Sequence, residues 1–287
     1  MKILILGSSG LLGNYLFNFL KKNFQVFNNG LRKRKINLLN TSELKYFLLR
    51  IKPDVIINCT ANTNLDNCEK KRKDAYDTNY KTLQNVVNLS KKYDIKSKII
   101  QISTDQFYNN KNHKLNRENV NWIPNYYCKT KYLAEKFCIK NKVVVLRTNF
   151  FGKSNSKNKS FSDWIFKSFK SQKMFNLFHD VYFSPLNLLT LSKMIKKVVI
   201  NIKDINGIYN VGSRDCVSKK EFAIKFAKSC KIYKKNYQSI SSKGIFITKR
   251  PNFMCMNIEK FEKKFKIKMP SVYNQISYEA KNYRLKK

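Results

Sequence analysis

The sequence predicts an α/β protein with a Rossmann-type, doubly wound parallel sheet and a smaller C-terminal substrate-binding lobe. Apolar runs such as Lys2–Leu6 and residues 54–58 are continuous, as expected of strands covered on both faces. These runs alternate with segments of helical periodicity through the first half. The chain also places three of its eight glycines, Gly7, Gly10 and Gly13, directly after the first run.

Local signals predict each element of the first half. A helix at 11–22 follows the glycines, and a second strand covers 24–28. Asn40 to Glu43 has capping-box spacing and starts a helix that reaches about residue 51. Further strands are predicted at 54–58, 98–103 and 143–146. Two helical stretches are predicted within about 68–93, and another helix at 126–139.

The glycines form the pattern G-x-x-G-x-x-G. Such a turn brings backbone N–H groups and a helix N-terminus close to an anion, which is how doubly wound folds hold a dinucleotide pyrophosphate. A secretory signal peptide is the alternative for this segment. It is disfavoured because the glycine turn interrupts the apolar run and no small-x-small cleavage site follows.

The second half alternates less regularly. The polar residues 153–160 predict a loop after a dinucleotide-binding domain at 1–152. Residues 207–212 predict a strand that returns to the main sheet, so 181–212 is assigned to the first domain. The remainder of 153–287 is then mainly a substrate-binding lobe over the carboxyl ends of the strands.

The net charge of +40 raises the question of nucleic-acid binding. However, the lysines are spread along the whole chain, and neither zinc-finger spacing nor a single-strand stacking motif accompanies them. We therefore expect no nucleic-acid partner. A positive surface instead attracts polyanionic small molecules such as nucleotide diphosphates.

The seven cysteines predict reduced thiols, because their number is odd and no C-x-x-C pair occurs. We expect neither a disulfide framework nor a metal site. No segment approaches the ~18 uninterrupted apolar residues of a membrane span. The sequence thus predicts a soluble cytoplasmic protein, with a homodimer as a candidate assembly.

Tyr127 and Lys131 stand four residues apart, which places both on one face of the predicted helix. In a chain with 16 tyrosines this pair alone could arise by chance. Here, however, the helix follows a strand that ends in Ser103-Thr104-Asp105. An ammonium beside a phenol can lower the phenol pKa from about 10 toward the working range.

Together these features resemble the extended short-chain dehydrogenase/reductase family, and more narrowly its dTDP-4-dehydrorhamnose reductase branch. The resemblance covers nearly the full chain and depends on the order and spacing of several motifs. These are the glycine turn, residues 55–66, 102–105, 125–131, 146–152, 183–185, 207–211 and Arg250-Pro251.

The resemblance implies roles for individual residues. Tyr127 would protonate a carbonyl oxygen as hydride arrives, while Lys131 would lower the pKa of Tyr127 and bind the nicotinamide ribose. Thr104, with Ser103 nearby, would orient the carbonyl, and Asn79 would hold the site geometry. The implied cofactor-binding residues are Gly7, Gly10, Leu11, Leu12, Gly13, Arg32, Asn37, Leu38, Ala61, Thr63, Ser103, Tyr127 and Lys131. The implied substrate-binding residues are Thr104, Asp105, Asn149 and Arg250.

Differences from sister enzymes narrow the implied reaction. Nucleotide-sugar 4,6-dehydratases carry Asp-Glu where this chain has Asp105-Gln106, and an amide cannot serve as their base. GDP-fucose synthases place a cysteine in the position of Asp105. The predicted reaction is therefore the simple reduction of a 4-keto group on a nucleotide-activated deoxysugar.

Two alternatives stay open at this point. A non-catalytic member of the same fold, like the regulatory subunit that binds methionine adenosyltransferase, would keep the fold and could keep the nucleotide. The Tyr127 and Lys131 pair argues against this alternative without excluding it. An NAD-dependent epimerase acting on a UDP-sugar would instead show no net turnover of added nicotinamide.

The end of the second strand bears on cofactor choice. NAD-specific enzymes of this fold usually carry a carboxylate there, whereas this chain has Asn28-Asn29-Gly30. A basic run that includes Arg32 and Arg34 follows, and such a run can pair with the 2′-phosphate of NADPH. We predict NADPH as cofactor with some use of NADH, unless the run is simply part of the basic surface.

Overall fold

A computed structural model describes residues 1–29, 36–110, 115–154 and 159–284. The chain divides into two compact units, called unit 1 and unit 2 below. Unit 1 comprises Met1–Thr104, Ile123–Arg147 and Ser192–Ile208. Unit 2 comprises Asp105–Trp122, Thr148–Leu191 and Tyr209–Lys287.

The described residues form a six-stranded central sheet. Its strands are β1 (Lys2–Leu6), β2 (Gln25–Asn28), β3 (Val55–Asn58), β4 (Lys98–Thr104), β5 (Val144–Thr148) and β10 (Ile208–Val211). They lie in the order β10-β5-β4-β3-β1-β2, and β1 runs parallel to both β2 and β3, as β3 does to β4. This confirms the predicted doubly wound sheet. The order reverses beside β1, and ligands of such sheets bind outside the carboxyl ends of the strands at this point.

Helices accompany these strands. They are α1 (Leu11–Leu20), α2 (Thr41–Ile51), α3 (Leu65–Lys70), α4 (Arg72–Tyr76), α5 (Thr82–Lys92), α6 (Tyr126–Lys140) and α8 (Leu188–Ile200). Within 68–93, where two helical stretches are predicted, a π-helical turn at Asp77–Lys81 lies between α4 and α5.

The predicted cap at Asn40 is present, but its geometry is not a reciprocal capping box. Asn40 Oδ1 accepts hydrogen bonds from the backbone N–H groups of Ser42 and Glu43, each at 3.1 Å. The Glu43 carboxylate instead accepts the N–H of Asn37 at 3.2 Å. A continuous apolar core beneath these helices includes Leu4, Leu48, Ile56, Val86 and Val145.

Unit 2 has shorter strands and an aromatic core. Its remaining strands are β6 (Phe150–Phe151), β7 (Phe175–Phe178), β8 (Tyr182–Phe183), β9 (Leu186–Asn187), β11 (Val217–Ser218) and β12 (Tyr237–Ile240), and its helices include α7 (Phe161–Lys170), α9 (Lys219–Ser229), α10 (Glu259–Phe265) and α11 (Val272–Arg284). The core includes Phe151, Phe169, Phe183, Phe222 and Phe226.

The prediction of reduced thiols is wrong for two cysteines. Cys216 and Cys255 form a disulfide within unit 2, with their Cα atoms 5.5 Å apart. They are separated by 39 residues in the chain, so no local spacing signals the pair. The other cysteines of the described chain are not disulfide-bonded.

None of the helices that the structure describes is both long enough and apolar enough to cross a bilayer. Within the same residues, His, Cys, Asp and Glu side chains do not gather in groups of three that could hold a metal ion.

Candidate functional site

The glycine turn joins β1 to α1 and is sterically closed to larger residues. Gly7 has φ +76°, and a Cβ there would lie 2.8 Å from the Cys59 carbonyl carbon. A Cβ on Gly13 would lie only 2.3 Å from the Gly7 carbonyl oxygen. The Gly10 N–H donates to that same oxygen at 3.0 Å. Glycine is therefore required by backbone conformation at one position and by close helix–turn packing at another.

The N-terminus of α1 is open to an anion. Gly10 is the N-cap and provides no side-chain hydrogen bond, and the first turn of α1, described throughout, has no acidic side chain. Leu11 and Leu12 belong to this turn, where the N–H groups lack intrahelical acceptors and the helix dipole favours negative charge. This arrangement fits a pyrophosphate group.

Three buried hydroxyl groups near the carboxyl ends of the strands lack hydrogen-bond partners among the described residues. They are Ser8 Oγ after β1, Thr60 Oγ1 after β3 and Ser103 Oγ at the end of β4. Buried polar atoms normally have partners, so each such atom requires an explanation. Ligand oxygens at this sheet edge would satisfy them, and the residues present therefore fit a dinucleotide.

The end of β2 carries an amide in the structure, as the sequence shows. Asn29 is buried, and its Oδ1 accepts the Gly7 N–H at 2.9 Å. Of the other predicted cofactor residues, Leu38 is buried and Asn37 is exposed, and the Leu38 carbonyl accepts the Asn85 amide at 3.1 Å. Arg32 lies outside the described residues.

Asn79 connects the loop after β3 to α6. This loop carries Ala61, which is half-buried, and the exposed Thr63. The buried Asn79 accepts the Asn62 N–H on its Oδ1 at 2.7 Å and donates from Nδ2 to Thr130 Oγ1 at 3.0 Å. The side chain thereby holds the predicted cofactor loop and the Tyr127 helix together.

The two residues of the predicted catalytic pair lie on α6 and are both buried. Tyr127 is in the first turn, where its carbonyl accepts the Thr130 hydroxyl at 2.8 Å. Lys131 Nζ donates to the Ile102 carbonyl oxygen at 2.8 Å. This bond places the ammonium beside the end of β4, which also carries Ser103 and Thr104.

Burial lowers the pKa of Lys131 to about 8, and the negative charge of Glu135 opposes this effect. Glu135 lies one helical turn further along α6 and forms a buried ion pair with Arg147 of β5, with Nε 3.0 Å from Oε1. The pair keeps a carboxylate near Lys131 inside the unit. Sequence reasoning did not identify it, because the two residues belong to different elements.

Unit 2 contains a second group of polar and charged residues, which includes the predicted substrate residues Asp105, Asn149 and Arg250. Asp105 is buried, and its Oδ2 accepts the Asn149 amide at 2.7 Å. Burial raises the pKa of Asp105 to about 6, opposed by that hydrogen bond and by the Lys219 charge. The Arg250 guanidinium lies 4.0 Å from the Phe246 ring centroid.

Lys219 belongs to this group and was missed by the sequence analysis. Its pKa is lowered to about 8 by burial, with Asp105 opposing the shift and Arg250 adding to it. One signal was available, because a lysine in the first turn of a helix is unfavourable toward the helix dipole. Only the fold places it near Asp105, which is more than one hundred residues earlier in the chain.

These features define a doubly wound α/β protein whose glycine turn fits a dinucleotide and whose helix α6 carries a buried tyrosine–lysine pair. The chain belongs to the RmlD substrate binding domain family, whose sequence profile matches residues 1–284. This confirms the resemblance inferred from the motifs.

Individual relatives agree with this membership. The chain is 27% identical to the spore coat polysaccharide biosynthesis protein SpsK of Bacillus subtilis, over 77% of each chain. It is 24% identical to dTDP-4-dehydrorhamnose reductase of Aggregatibacter actinomycetemcomitans, over 93% of this chain and 94% of the relative. The methionine adenosyltransferase 2 subunit beta of Rattus norvegicus is 22% identical, over 91% and 81% respectively.

Among solved structures, dTDP-4-dehydrorhamnose reductase of Bacillus anthracis, in complex with NADP, superimposes with a TM-score of 0.88. The match covers 98% of this chain and 99% of the other, at 24% identity. The two chains therefore share one fold over their whole length.

Proposed function

We propose that the protein reduces the 4-keto group of a nucleotide-activated deoxysugar, as a dTDP-4-dehydrorhamnose reductase does, with NADPH as hydride donor. The observation that carries this proposal is the buried Tyr127 and Lys131 pair on α6, beside the end of β4, in a member of this family. A related reductase named for this reaction aligns over 93% of the chain.

NADPH, when bound, supplies the hydride. Tyr127 donates a proton to the carbonyl oxygen of the substrate, and Thr104 orients that oxygen. The Lys131 ammonium uses one N–H on the Ile102 carbonyl and keeps two for the cofactor ribose and the phenol. Its positive charge makes proton release by Tyr127 easier.

Separate groups of residues hold the two ligands in this proposal. The glycine turn of unit 1 and the hydroxyl groups of Ser8, Thr60 and Ser103 hold the dinucleotide. The cluster of Asp105, Asn149 and Arg250 in unit 2 binds the nucleotide sugar. Cytoplasmic location and a homodimer remain predictions.

The alternatives are less well supported. Gln106 takes the place of the base of the dehydratases, and its amide donates to Met254 Sδ at 3.1 Å. A regulatory role like that of the methionine adenosyltransferase subunit requires no proton donor, yet the pair is intact. An epimerase does not consume added nicotinamide overall, so the net oxidation of NADPH distinguishes a reductase from an epimerase.

Tyr127→Phe tests the proposal, with Tyr126→Phe as the matched control on the neighbouring residue. With NADPH and a dTDP-4-keto-6-deoxy sugar, absorbance should report net oxidation by the wild type. We expect Tyr127→Phe to lose roughly 10²-fold or more in turnover with nearly unchanged NADPH affinity, because only the proton donor is removed. Tyr126→Phe should retain activity.

Turnover by Tyr127→Phe above about a third of the wild-type rate would refute the catalytic assignment. Absence of NADPH oxidation by the wild type with all dTDP-keto sugars tested would favour the regulatory alternative. Interconversion of UDP-sugars without added nicotinamide would favour the epimerase.

A further inference from the structure

The ammonium group of Lys219 is held between two aromatic rings. Its Nζ lies 4.2 Å from the ring centroid of Phe161 and 4.7 Å from that of Phe183. Aromatic faces attract a cation, but they do not replace oxygen acceptors for its three N–H bonds. Among the described residues, no oxygen accepts a hydrogen bond from this ammonium.

The nearby carboxylates are already engaged with other groups. The Asp105 carboxylate attracts the Lys219 ammonium at a distance, and its Oδ2 accepts a hydrogen bond from the Asn149 amide at 2.7 Å. Glu221, on the same helix as Lys219, accepts the Ser218 N–H at 2.8 Å as part of the helix cap. Lys219 is therefore a half-buried cation without a direct anionic partner in the described chain.

The local field also favours an anion. Lys219 is the first residue of α9, so its charge adds to the positive end of the helix dipole. Arg250 adds further positive potential at the ammonium. An incoming anion would pair with a cation that has already lost much of its hydration, which strengthens charge-assisted hydrogen bonds.

We propose that Lys219 is a substrate-binding residue that holds the diphosphate of the nucleotide sugar and selects for that group. The proposal rests on the proposed function and names the residue by which its substrate class is recognised. A diphosphate offers several charged oxygens to the three N–H donors, whereas a free sugar or a nucleoside offers none.

Calorimetric titration with dTDP tests this assignment, and thymidine serves as the uncharged probe. Lys219→Met removes the charge and leaves a side chain that suits the two aromatic rings. Lys225→Met is the matched control, because Lys225 is an exposed lysine of the same helix. Lys219→Arg retains the positive charge and tests whether that charge is sufficient for dTDP binding.

We expect Lys219→Met to weaken dTDP binding by about tenfold or more, the loss typical of one charge-assisted hydrogen bond. Thymidine binding should not change. Lys225→Met should stay within about twofold of the wild type, and Lys219→Arg should recover most of the affinity. Should Lys219→Met not fold, Lys219→Gln is judged by the same criterion.

A dTDP affinity within about twofold of the wild type in folded Lys219→Met would overturn the proposal, as would an equal loss in Lys225→Met. Failure of the wild type to bind dTDP would overturn it too. If the protein reduces the keto sugar but dTDP affinity does not depend on Lys219, only the role of Lys219 is refuted. If dTDP affinity depends on Lys219 but the protein does not reduce the keto sugar, only the reductase function is refuted.

Discussion

Asn79 holds Thr130 by a buried hydrogen bond, with Asn79 Nδ2 3.0 Å from Thr130 Oγ1. Its Oδ1 accepts the Asn62 N–H at 2.7 Å, and the Thr130 hydroxyl donates in turn to the Tyr127 carbonyl. The residue lies in the π-helical turn at Asp77–Lys81, a type of distortion that is frequent at functional sites. One amide thus links the loop after β3 to the helix of the proposed proton donor.

Asn79→Ala should therefore lower both stability and function. It leaves the Asn62 N–H without its acceptor and removes the amide that donates to Thr130 Oγ1, which costs about 1–3 kcal/mol in the free energy of unfolding. NADPH affinity and turnover should also fall. Asn236→Ala is the control, since Asn236 Nδ2 donates to the carbonyls of Ser168 and Ser171 in unit 2. Urea unfolding and NADPH titration should show a stability loss in both variants and a cofactor defect in Asn79→Ala alone.

Lys131 should limit activity at alkaline pH. Its pKa is lowered to about 8, so the ammonium is present below that pH and is lost as the pH rises through it. The neutral amine no longer assists Tyr127, and kcat/KM should decline above about pH 8. NADPH affinity should weaken over the same range, because the ribose contact depends on the same group. A dissociation constant for NADPH that is flat from pH 7 to 9 would contradict the contact.

Gly13→Val should abolish dinucleotide binding, because even a Cβ at this position would lie 2.3 Å from the Gly7 carbonyl oxygen. The helix must move away from the turn, and its N–H groups move with it. Asn18→Val controls for a β-branched residue in α1, since Asn18 is exposed. NADPH titration of the folded variants distinguishes the two. Normal binding by Gly13→Val would place the pyrophosphate elsewhere.

Cofactor preference should favour NADPH over NADH in kcat/KM. Asn29 at the end of β2 is an amide bound to the Gly7 N–H, so no carboxylate there repels a 2′-phosphate. Combined Arg32→Ala and Arg34→Ala should reduce this preference at low salt, while Lys21→Ala with Lys22→Ala should not. Equal or higher kcat/KM with NADH in the wild type would show that the basic run does not bind the 2′-phosphate and only reflects the lysine-rich composition of the chain.

The Cys216–Cys255 disulfide should stabilise the oxidised protein by about 2–4 kcal/mol, chiefly by constraining the unfolded chain. Cys216→Ser tests this, because Cys216 is less buried than Cys255. Without reductant, urea should unfold the variant at lower concentration than the wild type. With dithiothreitol the two midpoints should converge, and identical midpoints in both conditions would argue against a bond in solution.

Local chemistry explains what could be read from the sequence. Continuous apolar strands, the glycine turn and the Asn40 cap each depend on neighbours within a few residues, and the structure contains all three. The four-residue spacing places Tyr127 and Lys131 on one helix face in any fold that keeps the helix. The sequence predicts two helical stretches within 68–93, but it does not predict the π-helical turn at Asp77–Lys81, because nothing in its local pattern distinguishes such a turn.

The sequence by itself thus determined the parallel sheet, the turn for a pyrophosphate and the helix with its tyrosine–lysine pair. Only the tertiary structure decided which distant residues meet. It brings Cys216 and Cys255 together in a disulfide, and it places Lys219 where the negative charge of Asp105 acts on its ammonium. The physical reason is that periodicity and backbone conformation are local properties of the chain, whereas burial, charge pairing and the loss of hydration arise only when remote segments pack together.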